Sequence, residues 1–130
     1  MIRVLFDENL SEHSAEGFNR LQYPLANGIE VTSIAKEFCK GIDDGDWIPE
    51  WSLSSGIFLT QDLKILKTKK QVYLLEKHRM GGFFIKSPKG YDYWDTMELI
   101  VKYWPKIVKV MQTTEGSYVY FVTPKRMIKG

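Results

Sequence analysis

The stretch IFLTQDLKI, residues 57–65, changes within six positions from an apolar run to a threonine, a glutamine and an aspartate. A short apolar run that ends in polar residues is typical of a strand buried inside a sheet. Ligand sites of open α/β sheets lie along the edge where the parallel strands end. The meaning of Asp62 therefore depends on which other polar side chains reach the same edge.

Predicted strands and helices alternate along the chain. The predicted strands are residues 2–6, 29–34, 56–60, 83–85 and 118–122. The predicted helices are a segment opened by Asn9, a short one opened near Asp44, residues 68–80, and a long amphipathic segment over residues 94–111. This alternation predicts parallel strands joined by right-handed crossovers, with helices on both faces. The expected fold class is α/β, a three-layer α/β/α sandwich with a mainly parallel sheet of about five strands, in one domain over residues 1–130.

Local signals set the expected helix boundaries. Asn9 is predicted to cap the first helix, with Glu12 three residues later completing a variant of the capping box. Pro49 is expected in the first turn of the short helix, and Gly81 with Gly82 should stop the basic helix. Apolar residues spaced three and four apart predict one face of the last helix: Trp94, Met97, Val101, Trp104, Val108 and Met111.

The composition is that of an ordinary globular chain. Hydrophobic residues make up 44% and charged residues 26%, and the net charge of +2 gives no strong overall attraction to nucleic acid or membranes. Cys39 is the only cysteine, which excludes an internal disulfide and favours a reducing compartment. Arg3 and Asp7 interrupt any N-terminal apolar segment, and no apolar run approaches the ~18 residues of a membrane span. We therefore expect a cytoplasmic protein without a signal peptide or membrane segment.

Acidic residues follow two of the predicted strands. Asp7 and Glu8 come directly after the first strand, Asp62 follows the third, and Asp44 opens the helix between the second and third strands. Neighbouring strands run ~4.8 Å apart. If the first and third strands are neighbours, their terminal carboxylates converge within the span of one metal ion.

Converging carboxylates repel each other unless a cation lies between them. Their hard oxygen atoms suit Mg²⁺ or Mn²⁺, whereas the absence of a Cys/His cluster disfavours zinc. Divalent ions held in this way can orient a water and stabilise the attacking and leaving oxygens of a phosphoryl group. Phosphodiester hydrolysis is thus a natural reaction class for this edge.

Simpler roles are open for each residue. Asp44 is equally well explained as a helix cap, and Glu8 and Asp46 as solvated surface acids. Asn9 is most simply a cap, and Thr60 a residue that bonds to its own turn. Both are also candidates for supporting the metal-binding carboxylates. The chain has no nucleophile elbow and no glycine-rich nucleotide loop.

Basic residues lie next to the same predicted edge. Lys64 follows Asp62, and Lys86 follows the fourth strand. Cations beside an acidic site would attract a polyanion that bare carboxylates repel. Lys64 and Lys86 are therefore candidate RNA-binding residues, whereas the lysines of 67–70 are equally well explained as a solvated helix face.

Four segments in series resemble the PIN-like nuclease domains, most closely the compact group related to VapC-type toxin ribonucleases. They are VLFDENLS (4–11), GIEVTSI (28–34), KGIDDGDWIPEW (40–51) and GIFLTQDLKI (56–65). The likeness covers about residues 1–86, and the tail YVYFVTPKRMIKG (118–130) is similar to the last strand and basic end of that group.

The resemblance implies a Mg²⁺- or Mn²⁺-dependent ribonuclease with the three-layer fold. Asp7, Asp44 and Asp62 match the metal-binding, catalytic carboxylates, and Glu8 or Asp46 would supply a fourth acid. An RNA substrate, an antitoxin protein and a homodimer are the implied partners. Two other hypotheses stay open: a catalytically silent PIN-like module that binds RNA or protein, and a phosphorelay receiver domain with Asp62 as phosphoacceptor.

Overall fold

The computed structural model describes all 130 residues of the chain. Its strands are β1 Ile2–Phe6, β2 Ile29–Ser33, β3 Ile57–Thr60, β4 Gly81–Ile85, β5 Tyr118–Val122 and β6 Met127–Lys129. They form one sheet in the order β2-β1-β3-β4-β5-β6, parallel throughout except for the antiparallel pair β5–β6. The predicted α/β class and mainly parallel sheet are confirmed. The sixth strand was missed because its three residues lie in a basic tail without an apolar run.

Five α-helices cover the two faces of the sheet. They are α1 Glu12–Gln22, α2 Ile34–Glu37, α3 Asp44–Ser52, α4 Lys69–Lys77 and α5 Tyr93–Thr113, with short 3₁₀ helices at Glu8–Leu10, Tyr23–Leu25 and Leu63–Leu66. Along β1, Val4 and Phe6 pack in a core with α1 and α5, whereas Leu5 packs in a second core with α2, α3 and α4. This alternation of buried side chains produces the predicted three layers. No helix is both long enough and apolar enough to cross a membrane.

The order of the strands creates a crevice at one edge. The chain passes from β1 to β2 on one side and continues through β3, β4 and β5 on the other. Neighbouring crossovers therefore diverge between β1 and β3, and ligands of open α/β sheets bind at such a point, beyond the carboxyl ends of the strands. The condition for convergence of Asp7 and Asp62 is met, because β1 and β3 are hydrogen-bonded neighbours.

The start of the first helix differs from the prediction. Asp7 caps the 3₁₀ helix Glu8–Leu10, and Ser11 caps α1 by accepting hydrogen bonds from the backbone N–H groups of His13 and Ser14. Asn9 caps neither helix. The capping signal was assigned to the wrong residue because the chain makes a separate 3₁₀ turn before α1 begins.

Two other boundaries were also wrong. Pro49 lies beyond the first turn of α3. Gly81 and Gly82 open β4 instead of stopping α4, which is followed by Arg79 at φ 54°. A Cβ at Gly81 would lie 2.3 Å from the ring of Tyr118, so the glycine is required by a close aromatic neighbour and not by a turn.

The inner face of α5 is shifted from the predicted one. Trp94 and Val101 are 75% and 52% exposed. The buried residues of α5 are Thr96, Met97, Leu99, Ile100, Tyr103, Ile107, Val108 and Met111. Apolar residues lie on both the buried and the exposed side of α5. Their spacing alone therefore predicted a face that combines residues from both sides.

Candidate acidic site at the ends of β1 and β3

Asp7 continues β1 into the crevice. Its backbone N–H donates to the carbonyl of Leu59 at 2.9 Å, which extends the pairing with β3 by one residue. Its carboxylate accepts a hydrogen bond from the N–H of Glu8 at 2.8 Å and one from Thr60 Oγ1 at 2.8 Å. The side chain is thereby held in one orientation across two neighbouring strands.

Thr60 is the centre of a small polar network. Thr60 is fully buried at the end of β3. Its hydroxyl donates to Asp7 and accepts from the backbone N–H of Asp62 at 2.9 Å. It also accepts from the side-chain amide of Asn9 at 3.3 Å, and Asn9 Oδ1 accepts from the N–H of Gln61 at 3.1 Å. Asn9 and Thr60 therefore join the ends of β1 and β3 and fix the backbone that carries the acids.

Asp62 lies beside Asp7 with one oxygen uncommitted. Its Oδ1 accepts from the backbone N–H of Lys64 at 2.9 Å and caps the 3₁₀ helix that follows. Its Oδ2 has no hydrogen-bond partner within the chain. Asp62 can therefore turn a free oxygen lone pair toward a ligand without losing its local hydrogen bond.

Asp44 is held by two donors from its own side of the sheet. Its Oδ1 accepts from Trp47 Nε1 at 2.8 Å, and its Oδ2 accepts from Gln71 Nε2 at 2.8 Å. Thr68 Oγ1 in turn donates to Gln71 Oε1 at 2.6 Å. The N-cap of α3 is Asp43, so the alternative of a cap at Asp44 does not describe its side chain. Gln71 could not be predicted as a partner of Asp44, because the two residues are 27 positions apart along the chain.

The three predicted acids line one open cleft of ≈ 350 Å³. Among the candidates for a fourth acid, Glu8 lines this cleft and accepts from the N–H of Gly41 at 2.9 Å, whereas Asp46 is exposed and lies outside it. Asp43, which was not proposed from the sequence, also lines the cleft, and its side chain makes no capping bond. The consecutive acids of IDDGD were the signal that could have suggested it.

The protonation of Asp7 is shifted by its surroundings. Burial raises the pKa of its carboxyl group above the ordinary value, and the carboxylates of Asp44 and Asp62 raise it further. The hydrogen bonds from Thr60 and the Glu8 N–H act in the opposite direction without cancelling the effect. None of the three aspartates forms an ion pair with a lysine or arginine, because the ion pairs of the chain lie elsewhere.

The donor set suits a hard divalent cation in its chemistry. Every available atom is a carboxylate or amide oxygen, and a carboxylate offers about four lone-pair sites, of which at most two are used at Asp7, Asp44 or Asp62. No three acidic, histidine or cysteine side chains converge tightly enough to form a ready-made metal site. Mg²⁺ commonly keeps several waters in its shell, so spaced carboxylates are compatible with it.

The two candidate RNA-binding lysines flank the cleft without lining it. Lys64 is exposed in the 3₁₀ helix after Asp62. Lys86 is exposed beyond β4, and its ammonium lies 4.5 Å from the centre of the Phe121 ring. They add positive charge near the crevice at longer range.

Comparison with known proteins assigns the chain to a family. The family model described as "PIN like domain" matches residues 2–87, well over half of the chain and all the acids above. The chain belongs to the PIN-like domain family. No curated protein and no solved structure matches the chain. Membership in this family favours the nuclease and silent-module hypotheses over a receiver domain, although the strand order 2-1-3-4-5 also occurs in receiver domains.

Proposed function

We propose that this PIN-like chain is a metal-dependent endoribonuclease that hydrolyses RNA phosphodiester bonds, with Asp7, Asp44 and Asp62 holding Mg²⁺ or Mn²⁺. The observation that carries the proposal is the Asp7 carboxylate, which is largely removed from solvent beside two further acids and has no cationic side chain as partner. A divalent cation would relieve this repulsion.

The side chains have distinct tasks in this proposal. The bound cation would supply positive charge to the phosphate and lower the pKa of a bound water. Thr60 fixes the orientation of Asp7, and Trp47 with Gln71 fixes that of Asp44. The free oxygen of Asp62 would hold the cation or a water of its shell. Lys64 and Lys86 would attract the RNA backbone.

The direct test is cleavage of single-stranded RNA with Mg²⁺ or Mn²⁺. Replacing Asp62 by Asn keeps the bond to the Lys64 N–H and removes the charge together with the free acceptor oxygen, with little change in size, so it is the cleanest variant. Changing a group that merely supports a metal ligand commonly costs 10- to 100-fold, so we expect Asp62→Asn and Asp7→Asn to lose about 100-fold or more. Glu50→Gln, an exposed acid of α3 outside the cleft, is the matched control. Equal cleavage by all four proteins would refute the assignment.

A narrower proposal is that the chain is the toxin of a toxin–antitoxin pair in the cytoplasm. It rests on the likeness of its motifs to the VapC-related group, and an antitoxin would mask the acidic cleft. Expression in a bacterial host should arrest growth, whereas expression of Asp62→Asn should not.

A homodimer is a separate proposal. The exposed side chains of Trp94 and Val101 give α5 an apolar surface on which a second copy of the chain could pack, and light scattering would detect the dimer.

One observation favours a second candidate, a PIN-like module that binds RNA without cleaving it. Both oxygens of Asp44 are engaged by Trp47 and Gln71, and the acids do not form a closed metal site. Such a module would bind RNA equally well in chelator and show no turnover with any divalent metal. Metal-dependent cleavage that Asp62→Asn abolishes would exclude it.

A further inference from the structure

A second hollow adjoins the acidic cleft on the side of α5. It measures ≈ 240 Å³, which is below the ~300 Å³ at which pockets for drug-sized ligands begin. Its walls include Asn9, Gln61, Tyr91 and Tyr93. Asn9 lines both the hollow and the cleft, and Thr60 links its amide to the carboxylate of Asp7 through two successive hydrogen bonds. The two sites are therefore neighbours on the scale of a single nucleotide.

We propose that this hollow binds one unpaired base of the RNA, next to the phosphate that lies in the acidic cleft. The inference rests on the proposed function for the position of that phosphate. The side chains of the hollow favour a base as its occupant, because they provide two aromatic walls, one oriented amide and no cation.

The aromatic walls provide stacking surfaces. The side chains of Tyr91 and Tyr93 are accessible, at 37% and 48% exposure. Their backbone is held in place, because both residues flank the N-cap of α5 with its capping box of Asp92 and Asp95. The ring of Tyr93 packs against that of Trp94 in a T-shaped arrangement, with 5.5 Å between ring centres and an interplanar angle of 82°. Bases of single-stranded RNA stack on such rings whatever their sequence, because every base has a π face.

Gln61 can contact the edge of a stacked base. Its backbone is fixed by Asn9, and its Nε2 donates to Ser87 Oγ at 3.0 Å, which is itself 3.0 Å from Thr96 Oγ1. These contacts orient the amide and leave Oε1 and one N–H of Nε2 without a partner in the chain. An acceptor and a donor side by side match the alternating groups along the edge of a nucleobase.

The charge of the hollow argues against a second phosphate. Asp92 is its only charged lining residue, and no lysine or arginine is among the walls. A phosphate would be repelled there, whereas a base carries no net charge. The proposed cation would let the acidic cleft bind the phosphate, whereas the hollow, with Asp92 and no cation, suits the uncharged base.

The test couples a change in the RNA to a change in the protein. A labelled single-stranded RNA of about five nucleotides is titrated with the full chain in Ca²⁺, and each base in turn is replaced by an abasic site. One abasic position should weaken binding to the wild type by about five- to 150-fold, the range of one base–aromatic stack. Tyr91→Ala or Tyr93→Ala should show the same loss with intact RNA and no further loss with the abasic RNA.

Control variants separate stacking from a structural effect. Tyr→Phe at the coupled position should bind like the wild type, because the ring remains. Tyr23→Ala, an exposed tyrosine at the far end of α1, should keep the full sensitivity to the abasic site. The proposal is overturned if no abasic position matters, if the losses in RNA and protein add independently at both tyrosines, or if the RNA does not bind.

The outcomes also separate this inference from the proposed function. Coupled losses in binding without cleavage in any metal would leave the base site standing and refute the nuclease. Metal-dependent cleavage that is insensitive to Tyr91→Ala, to Tyr93→Ala and to the abasic scan would leave the nuclease standing and refute the base site.

Discussion

Carboxylates lie at the two ends of β1 in opposite electrostatic surroundings. Near the start of the strand, the Arg3 guanidinium bonds to Glu30 at 2.9 Å and to Glu37 at 2.9 Å. At the other end, Asp7 faces Asp44 and Asp62 without a cation. Both groups are partly buried, and Arg3 and Asp7 are only four positions apart along the chain.

The difference appears in the pKa of each carboxyl group. Burial alone would raise the pKa of Glu37, but the hydrogen bond from Thr32 and the charge of Arg3 outweigh it and lower the pKa. At Asp7 burial also raises the pKa, and the neighbouring acids add to the rise. The charged form of Glu37 therefore stabilises the folded chain. The charged form of Asp7 destabilises it, as expected of a site that binds a ligand.

The largest expected difference between the two ends of β1 is in the stabilisation of the fold by a bound metal ion. At about 100 times its Kd, Mn²⁺ should raise the free energy of unfolding of the wild type by about 2.7 kcal/mol. At the same concentration Asp62→Asn should lose most of that gain, and Glu37→Gln should keep it although the metal-free variant is less stable. Urea unfolding with and without Mn²⁺ measures all three. An unchanged gain in Asp62→Asn would place the metal away from the cleft.

Removing the cation at the first end should cost stability. Arg3→Met leaves Glu30 and Glu37 facing each other and removes the guanidinium stacked 5.1 Å from the Trp51 ring. Hydrogen bonds to charged groups contribute ~1.5–3 kcal/mol when buried, and solvent exposure reduces this to an expected loss of about 1–2 kcal/mol. Lys40→Met, which removes the exposed ion pair with Glu12, should change stability by less than about 0.5 kcal/mol. Urea unfolding measures both variants. Similar losses in the free energy of unfolding for Arg3→Met and Lys40→Met would show that Arg3 does not stabilise the fold more than an exposed ion pair does.

The sequence indicates that Asp7 and Asp62 share one edge of a parallel sheet, because each follows a short apolar run. Their closeness depends on β1 and β3 being neighbours, which only the structure provides. Gln71 and the cleft-lining role of Asp43 could not be predicted, because they depend on how α3 and α4 pack over the sheet. Asn9 and Thr60 were both candidates for supporting the acids, but the hydrogen bond between them could not be predicted, because the two residues are 51 positions apart.

The contrast can be sharpened without any metal. Asp62→Asn keeps its bond to the Lys64 N–H and removes one charge that faces Asp7, so the metal-free fold should gain about 0.5 kcal/mol. Asp46→Asn makes the same chemical change outside the cleft, in the first turn of α3, where an acid favours the helix dipole. That control should lose about 0.3–0.5 kcal/mol. Urea unfolding in chelator compares them, and a loss in both would show that Asp62 is not under repulsion.

The smallest expected effect is the pH dependence of the metal-free fold. The pKa of Asp7 is higher in the folded than in the unfolded chain, so the folded chain binds its proton first as the pH falls. The destabilising effect of Asp7 is therefore relieved as the pH falls through this raised pKa, and the relief is complete below the unfolded value of about 3.9. Glu37 behaves in the opposite way: its stabilising effect is complete above about 4.3 and is lost as the pH falls through its lowered pKa.

These opposite signs predict two separate changes in urea unfolding measured in chelator between pH 7 and pH 3. The stability advantage of Asp62→Asn over the wild type should shrink as the pH falls toward 4, because protonated Asp7 no longer repels Asp62. The advantage of the wild type over Glu37→Gln should persist to pH 4 and shrink only below it. If both differences decline over one pH range, the two ends of β1 do not hold their carboxylates in opposite states, and the main argument for a cation in the cleft fails with them.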